Sequence, residues 1–416
     1  LAYANSNNTP SNSNTNIGSH LCYKMLMITG REPDNINREL QPCPLAKHFD
    51  KPKGVGRNAC CMGYRRPRLR QQRKMKRIGH LYDKIISIEN LQRADEKARC
   101  GKTHTYGVRV HDKNKEANIL ALHEALLTKT YRTSNYDIFT VYEPKERIIY
   151  RLPYYPDRIV HHAIMNVLEP IWVKTFTHNT FSCIKGRGIE GCARYVEKLI
   201  RKYDGKPLYC LKIDIKKFYP SIKHRVLKSI IRRKLKDEDL LWLLDEIIDS
   251  TDGLPIGNYL SQFLANLLLC YMMHRLNEVY HADCAEYADD IIVLSDSKEK
   301  LRTLFFQVIK PIIEGELELT VKGNYQIFPI ADNRADCHGR ALDYVGYKFY
   351  RHQKLIRKSI KQNFCRAVSK LSKRVPPVSP MTFKQGIAPW LGWAAHSNSK
   401  HLLKTIIKPY YYASIL

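Results

Sequence analysis

No C-x-x-C pair occurs among the twelve cysteines of this 416-residue chain, so the usual zinc-ligand spacings are missing. Thiols scattered through a long polypeptide without such pairs read as reduced, which suits a cytoplasmic protein. Acidic charge is scarce: 40 Asp+Glu stand against 69 Lys+Arg, a net +29. Such an excess points to a polyanionic partner such as nucleic acid. Long apolar runs are missing as well. The richest, Leu260 to Met273, is interrupted by Ser261, Gln262 and Asn266 and falls short of the roughly 20 residues that span a bilayer. The opening "LAYANSNNTPSNSNTN" has neither the basic nor the apolar region of a secretory signal. No membrane association is expected.

What is present divides the chain. Residues 5–16 hold six Asn with interspersed Ser and Thr, and "GVGRNACCMGYRRPRLRQQRK" (54–74) is basic and without period. Both predict disorder over 1–74, because neither can bury enough apolar surface to order itself. At Met75 the character changes: Ile78, Leu81, Tyr82, Ile85, Ile88 and Leu91 follow at helical spacing. Further helices are predicted near 114–128, 157–173, 224–236, 237–250 and 298–313. "PLYCLKIDI" predicts a buried strand, "AEYADDIIVLSDS" a strand, turn and strand, and "ALDYVGYKFYRHQKLIRK" a hairpin. Basic helices with Trp390 and Trp393 end the chain. Ser221 is placed to cap the helix near His224, and Asn258 to cap the apolar helix after "GLPIGNYLSQ".

Two features carry chemistry. Asp289 and Asp290 sit at a tip between strand-forming residues; an ordinary turn would account for the dipeptide taken alone. Asp214, however, interrupts an apolar strand, where a lone charge is costly unless paired or metal-bound. Carboxylates from separate strands are what a two-metal phosphoryl transfer requires, since both attacking and leaving oxygens must be clamped.

In order along the chain stand "RIIYRLPYYPDRIVHHAI" (147–164), "FSCIKGRGI" (181–189), "DIKKFYPSI" (214–222), "PIGNYLSQ" (255–262), "YADD" (287–290), "LTVKGNYQIF" (319–328) and "LDYVGYKFY" (342–350). Together they resemble the reverse transcriptases of bacterial retrons and group II introns. The resemblance implies an α+β right-hand polymerase fold: fingers and palm over 75–345, with an antiparallel sheet packed on helices, then a primer-grip end and helical thumb over 346–416. It implies that Asp214 and Asp289 bind two Mg²⁺ ions, with Mn²⁺ as an alternative, and that Asp290 holds or tunes one of them. Lys322 corresponds to a general acid for pyrophosphate departure, or is a plain turn lysine. Lys145, Arg147, Arg151, Lys185 and Arg187 would neutralise triphosphate or template phosphates. Either Phe218 or Tyr219 would be the steric gate against the 2′-OH.

Within that family, Ile256 stands where most members have Gln and Gln262 where they have Pro. This combination resembles the enzymes of diversity-generating retroelements, which copy a template-repeat RNA with errors at adenine. Gly257 would let backbone approach the nucleotide. The Asn-rich start resembles a translated template repeat, or is an ordinary polar tail. Implied partners are an RNA template, cDNA, dNTPs and a small basic accessory protein, in a bacterial or phage-encoded setting. The compact chain, without further Cys pairs or an endonuclease-like His-Asn cluster, fits this and also retron or defence enzymes. A different class also stays open: an inactive palm that only binds nucleic acid.

Overall fold

The computed structural model describes residues 77–142 and 146–412. The disorder expected over 1–74 and the start at Met75 therefore lie outside the described residues, as does Lys145. Four helices come first: α1 (Tyr82–Ile86), α2 (Ile88–Ala98), α3 (Tyr106–Asp112) and α4 (Lys115–Leu127). The apolar spacing from Ile78 to Leu91 does not make one helix. Ser87 interrupts it by capping α2, its side chain accepting from Asn90 N, and Ile78 forms a parallel bridge with Leu235. The hairpin β1 (Asp137–Tyr142) and β2 (Glu146–Arg151) follows, then α5 (Ile159–Thr175) and α6 (Gly188–Arg201).

Next come β3 (Tyr209–Asp214), the short α7 (Phe218–Ser221), α8 (His224–Lys234), α9 (Glu238–Ile248) and the long α10 (Tyr259–Glu278). After them stand β4 (Asp283–Tyr287), β5 (Asp290–Ser295) and α11 (Lys298–Leu304), which runs on through wider π-type turns toward Glu316, and then β6 (Gln326–Pro329). The four strands form one antiparallel sheet in the order β4-β5-β3-β6. The expected terminal hairpin is a three-stranded sheet instead, β7 (Leu342–Tyr344), β8 (Tyr347–Phe349) and β9 (Lys354–Ile356). The third strand joins because Lys354 and Ile356 alternate inward, Lys354 with its ammonium 2.8 Å from Glu197. Helices α12 (Lys358–Ser372), α13 (Pro380–Ala395), α14 (Lys400–Ile406) and α15 (Pro409–Tyr412) complete the chain. This is a right-hand polymerase fold of mixed helix and sheet.

Period-two geometry sorts the central sheet between two cores. Leu211, Ile213, Ile291 and Val293 face the larger one, built on α5, α8, α9 and α10. Cys210, Ala285, Ile292 and Leu294 face the smaller one, shared with α6 and the β7–β8 sheet. Both faces are covered, which explains why "IIVL" reads as a continuous apolar run rather than an alternation. Helix α10 is buried on nearly every side, so it too lacks an amphipathic stripe. Trp393 packs on Tyr347 and Trp390 stacks with Phe364, so the two tryptophans anchor α13 to β8 and α12.

Candidate active site

The register of β3 against β5 sets Asp214 opposite Asp290. Tyr287 pairs with Asp290 across the β4–β5 hairpin, leaving Ala288 and Asp289 as its two-residue loop, with Ala288 at φ +56°. Two-residue hairpin loops need such positive φ values to match strand twist. The three carboxylates thus meet at one end of the sheet, each partly exposed.

Their electrostatics are unequal. Burial, with the Asp214 and Asp290 carboxylates beside it, raises Asp289 to about 7. Burial also raises Asp290, while Lys212 works in the opposite direction. The Lys212 ammonium lies 3.2 Å from Asp290 Oδ2, and Lys322 donates to Asp214 Oδ2. Lys322 is tied in twice, its backbone N–H donating to Asp214 O at 2.9 Å. Among the described residues no three His, Cys, Asp or Glu side chains converge as a ready-made cation cage. The donor set nonetheless fits divalent cations: crowded carboxylates raise Asp289, and Asp290 Oδ1 is buried without a hydrogen bond. A cation would relieve both.

Of the expected phosphate-binding residues, Arg147 interacts electrostatically with Asp289. Its guanidinium is lowered by burial and held up by Asp289 and Tyr219, and its Nε is buried without a hydrogen bond. Arg151 instead pairs with Asp137 and lies over the Phe139 ring. Arg187 donates to the carbonyls of Thr177 (2.6 Å) and Thr180 (2.9 Å), which makes it a brace for the loop before α6. Lys185 is exposed. Phe218 and Tyr219 are both buried, their rings in edge contact at 5.3 Å. The Tyr219 hydroxyl is among the groups that hold up the Arg147 guanidinium.

The strip "GLPIGNYLSQ" is a junction. Ile256 O accepts from Tyr150 N of β2 at 2.9 Å, and Leu254 N donates to Tyr219 O at 2.9 Å. Gly253, at φ +68°, presses on the same turn: a Cβ there would lie 2.6 Å from Pro220 O and 2.7 Å from Tyr219 O. Gly257 has φ +126°. Gln262 accepts a hydrogen bond from the Cys183 thiol of the 181–189 block.

Both expected caps are corrected. Asn258 holds the N-cap position of α10 without capping it; its amide donates to Tyr136 OH at 2.9 Å. Ser221 donates to Lys216 O at 3.2 Å, and Lys223 is the residue at the start of α8. In each case a partner outside the helix outcompetes the local turn. Lys212 and Tyr344 were missed in the sequence. The signal for Lys212 was there, since "KID" puts it on the same strand face as Asp214. Tyr344, which donates to Asp290 O at 3.0 Å, gave none.

A four-stranded antiparallel sheet with carboxylates at a hairpin tip, an arginine from a neighbouring hairpin and a buried aromatic turn define a polymerase palm. Comparison with known proteins carries this further. Residues 143–322 match the family "Reverse transcriptase (RNA-dependent DNA polymerase)". It is 26% identical over 155 residues to Protein YkfC of Escherichia coli K12, covering 34% of this chain and 41% of that protein. It is 27% identical over 175 residues to the Retron Ec73 reverse transcriptase of Escherichia coli, covering 38% of this chain and 50% of the relative. The chain thus spans about half the length of these relatives or less. Among solved structures, apo telomerase from Candida Tropicalis aligns with a TM-score of 0.42 at 11% identity, over 68% of this chain and 61% of that one.

Proposed function

We propose that this protein is an RNA-directed DNA polymerase that copies an RNA template into cDNA from dNTPs. The observation that carries this reading is the meeting of Asp214, Asp289 and Asp290 at one end of the central sheet, with Arg147 within electrostatic reach. Bound Mg²⁺, or Mn²⁺, would supply charge neutralisation at the attacking and leaving oxygens. Asp214 and Asp289 would hold it. Arg147 would bind the triphosphate, Phe218 or Tyr219 would face the sugar, and Lys322 would donate a proton to the departing pyrophosphate once released from Asp214. Arg151, Arg187 and Lys185 would serve phosphates only after giving up their present contacts or from the surface. The division into fingers and palm to residue 345 and thumb beyond belongs to the same reading. Primer extension on an RNA template with Mg²⁺ tests it: incorporation by the wild type and its loss in Asp289→Ala are expected. Incorporation unaffected by that substitution would sink the assignment.

More finely, we assign the protein to the diversity-generating type, with adenine-biased errors and a small basic accessory protein as partner. Ile256 and Gln262 support this, because an Ile in place of an amide at the nucleotide pocket removes a hydrogen-bonding handle on which base discrimination depends. A retron-type enzyme is the second reading, favoured by the retron relative. Sequencing the cDNA separates them: errors concentrated opposite template adenines support the first, and an even distribution supports the second.

A further inference from the structure

Residues 179–183 run along the outer edge of β4. Glu286 N donates to Asn179 O at 3.0 Å and Phe181 N donates to Glu286 O at 3.1 Å, which makes a parallel bridge of Thr180 to Glu286. Because the two segments run the same way, Cys183 stands three residues beyond the bridge just as Asp289 does on its own side. Both head for the end of the sheet that holds the carboxylates.

At Cys183 the backbone turns left-handed, with φ +57°. Such a conformation is costly for a residue other than glycine and persists only where its surroundings hold it. Helix α10 supplies the hold. Asn266, itself buried, donates from Nδ2 to Ser182 O at 2.8 Å, and one turn earlier on the same helix face Gln262 Oε1 accepts from the Cys183 thiol. The buried Ser182 hydroxyl donates to Cys183 Sγ at 3.5 Å. Ser182, Cys183 and Gln262 thus form a relay of two hydrogen bonds, which fixes the direction of the Gln262 amide.

A side-chain amide has an acceptor oxygen and an NH₂ donor. With Oε1 turned to the thiol, Nε2 is turned away from it; the half-buried Gln262 makes no hydrogen bond from Nε2 within the described residues, and that atom reaches solvent. The strip has two sides. Ile256 O is bonded to β2 in the hairpin of Arg147, whereas Gln262 is bonded to the 181–189 block. That block exposes Lys185, and a Cβ added at Gly186 or Gly188 would meet nothing within 4 Å, so its surface is open to a chain lying across it. With the triphosphate on the Arg147 side, the strand being copied falls on this one.

Resting on the polymerase reading, we infer that Cys183 is a positioning residue: its thiol holds the Gln262 amide oxygen so that the NH₂ group donates to the template strand. Cys183 acts through Gln262 and need not touch either strand itself.

Template–primer affinity by fluorescence anisotropy and the KM for dNTP in primer extension, both on the full chain, test this with Cys183→Ala, Cys183→Ser, Gln262→Met and the double variant Cys183→Ala/Gln262→Met. Cys183→Ala removes the donor and should weaken template–primer binding about threefold to tenfold, the worth of one hydrogen bond, while the KM for dNTP changes less than about twofold. Gln262→Met should do the same, and the double variant should lose no more than Gln262→Met alone. Cys183→Ser keeps a donor and should recover most of the affinity. Gln262→Met decides the part of the amide even where Cys183→Ala folds poorly, since a helix accepts Met well. Losses that multiply in the double variant, a loss in Cys183→Ser as large as in Cys183→Ala, or a raised KM for dNTP with template binding unchanged would overturn the inference. Absence of incorporation by the wild type would overturn the polymerase reading instead, while the anisotropy cycle still decides what Cys183 does.

Discussion

Two hairpins approach the candidate site, and they are built oppositely. In β4–β5 the residues between the strand ends are buried on both faces, shared between two cores. In β1–β2 most side chains are exposed, including Ile138, Phe139, Tyr142 and Ile148. The first carries the carboxylates and the second carries Arg147. On the polymerase reading, the division fits what each hairpin would do. Groups that fix reacting atoms need a surround that cannot shift, because small displacements are costly in rate. A group that meets a charged ligand from solvent must be able to reach it.

The comparison can be broken most severely at the carboxylate tip. Asp289→Ala should lower incorporation by roughly a thousandfold or more in primer extension, since several kcal/mol of charge stabilisation depend on it. Next, matched isoleucines separate the hairpins. Ile292, fully buried in β5, should cost about 2–5 kcal/mol when changed to Ala in denaturant unfolding. Arg147→Ala should then raise the KM for dNTP by roughly tenfold to a hundredfold, the size of a lost charge-assisted hydrogen bond of about 1.5–3 kcal/mol. Stability should be almost untouched. A loss confined to kcat would instead place Arg147 away from the nucleotide.

A pH test sharpens the contrast further. Glu286 of β4 is fully buried, with only Thr180 Oγ1 bonded to its Oε2, and burial raises its carboxyl from 4.5 to about 8. Between those values the unfolded chain has released this proton and the folded chain still holds it. Folding therefore takes up a proton, and stability falls as pH rises through the window. Below 4.5 both states are protonated and the effect vanishes. Glu286→Gln removes the ionisation, so its Tm relative to wild type should be higher near about pH 8.5 than near about pH 5. A constant difference across that range would contradict the buried neutral carboxyl. Last and smallest, Ile148→Ala in the exposed hairpin should alter stability by no more than about 0.5 kcal/mol.

How much of this was legible beforehand depends on the range of the interaction. Asp214 stood out because a charge in an apolar strand demands a reason, and "YADD" because a turn dipeptide between strand formers has few others. Strands β3, β4 and β5 and most of the longer helices followed from the residue pattern, whereas β1, β2, β6, α3 and α6 did not. Ser221 and Asn258 misled, since each sits where a cap belongs and each bonds elsewhere: Ser221 to Lys216, Asn258 to Tyr136 more than a hundred positions away in the chain. Lys212 was visible as a residue and opaque as a partner, because nothing local names Asp343 or Asp290. The third strand, β9, was hidden for the same reason: Lys354 reads as a loop lysine until Glu197 is beside it.

Gly253 has a consequence for how such a protein can change. No side chain fits between it and the Tyr219–Pro220 backbone. The Phe218–Tyr219 turn proposed to check the sugar and the strip proposed to judge the base thus share one hinge point. On that reading the two kinds of proofreading are not independent traits. A substitution that moves the strip at Gly253 is therefore expected to displace the Tyr219–Pro220 turn with it.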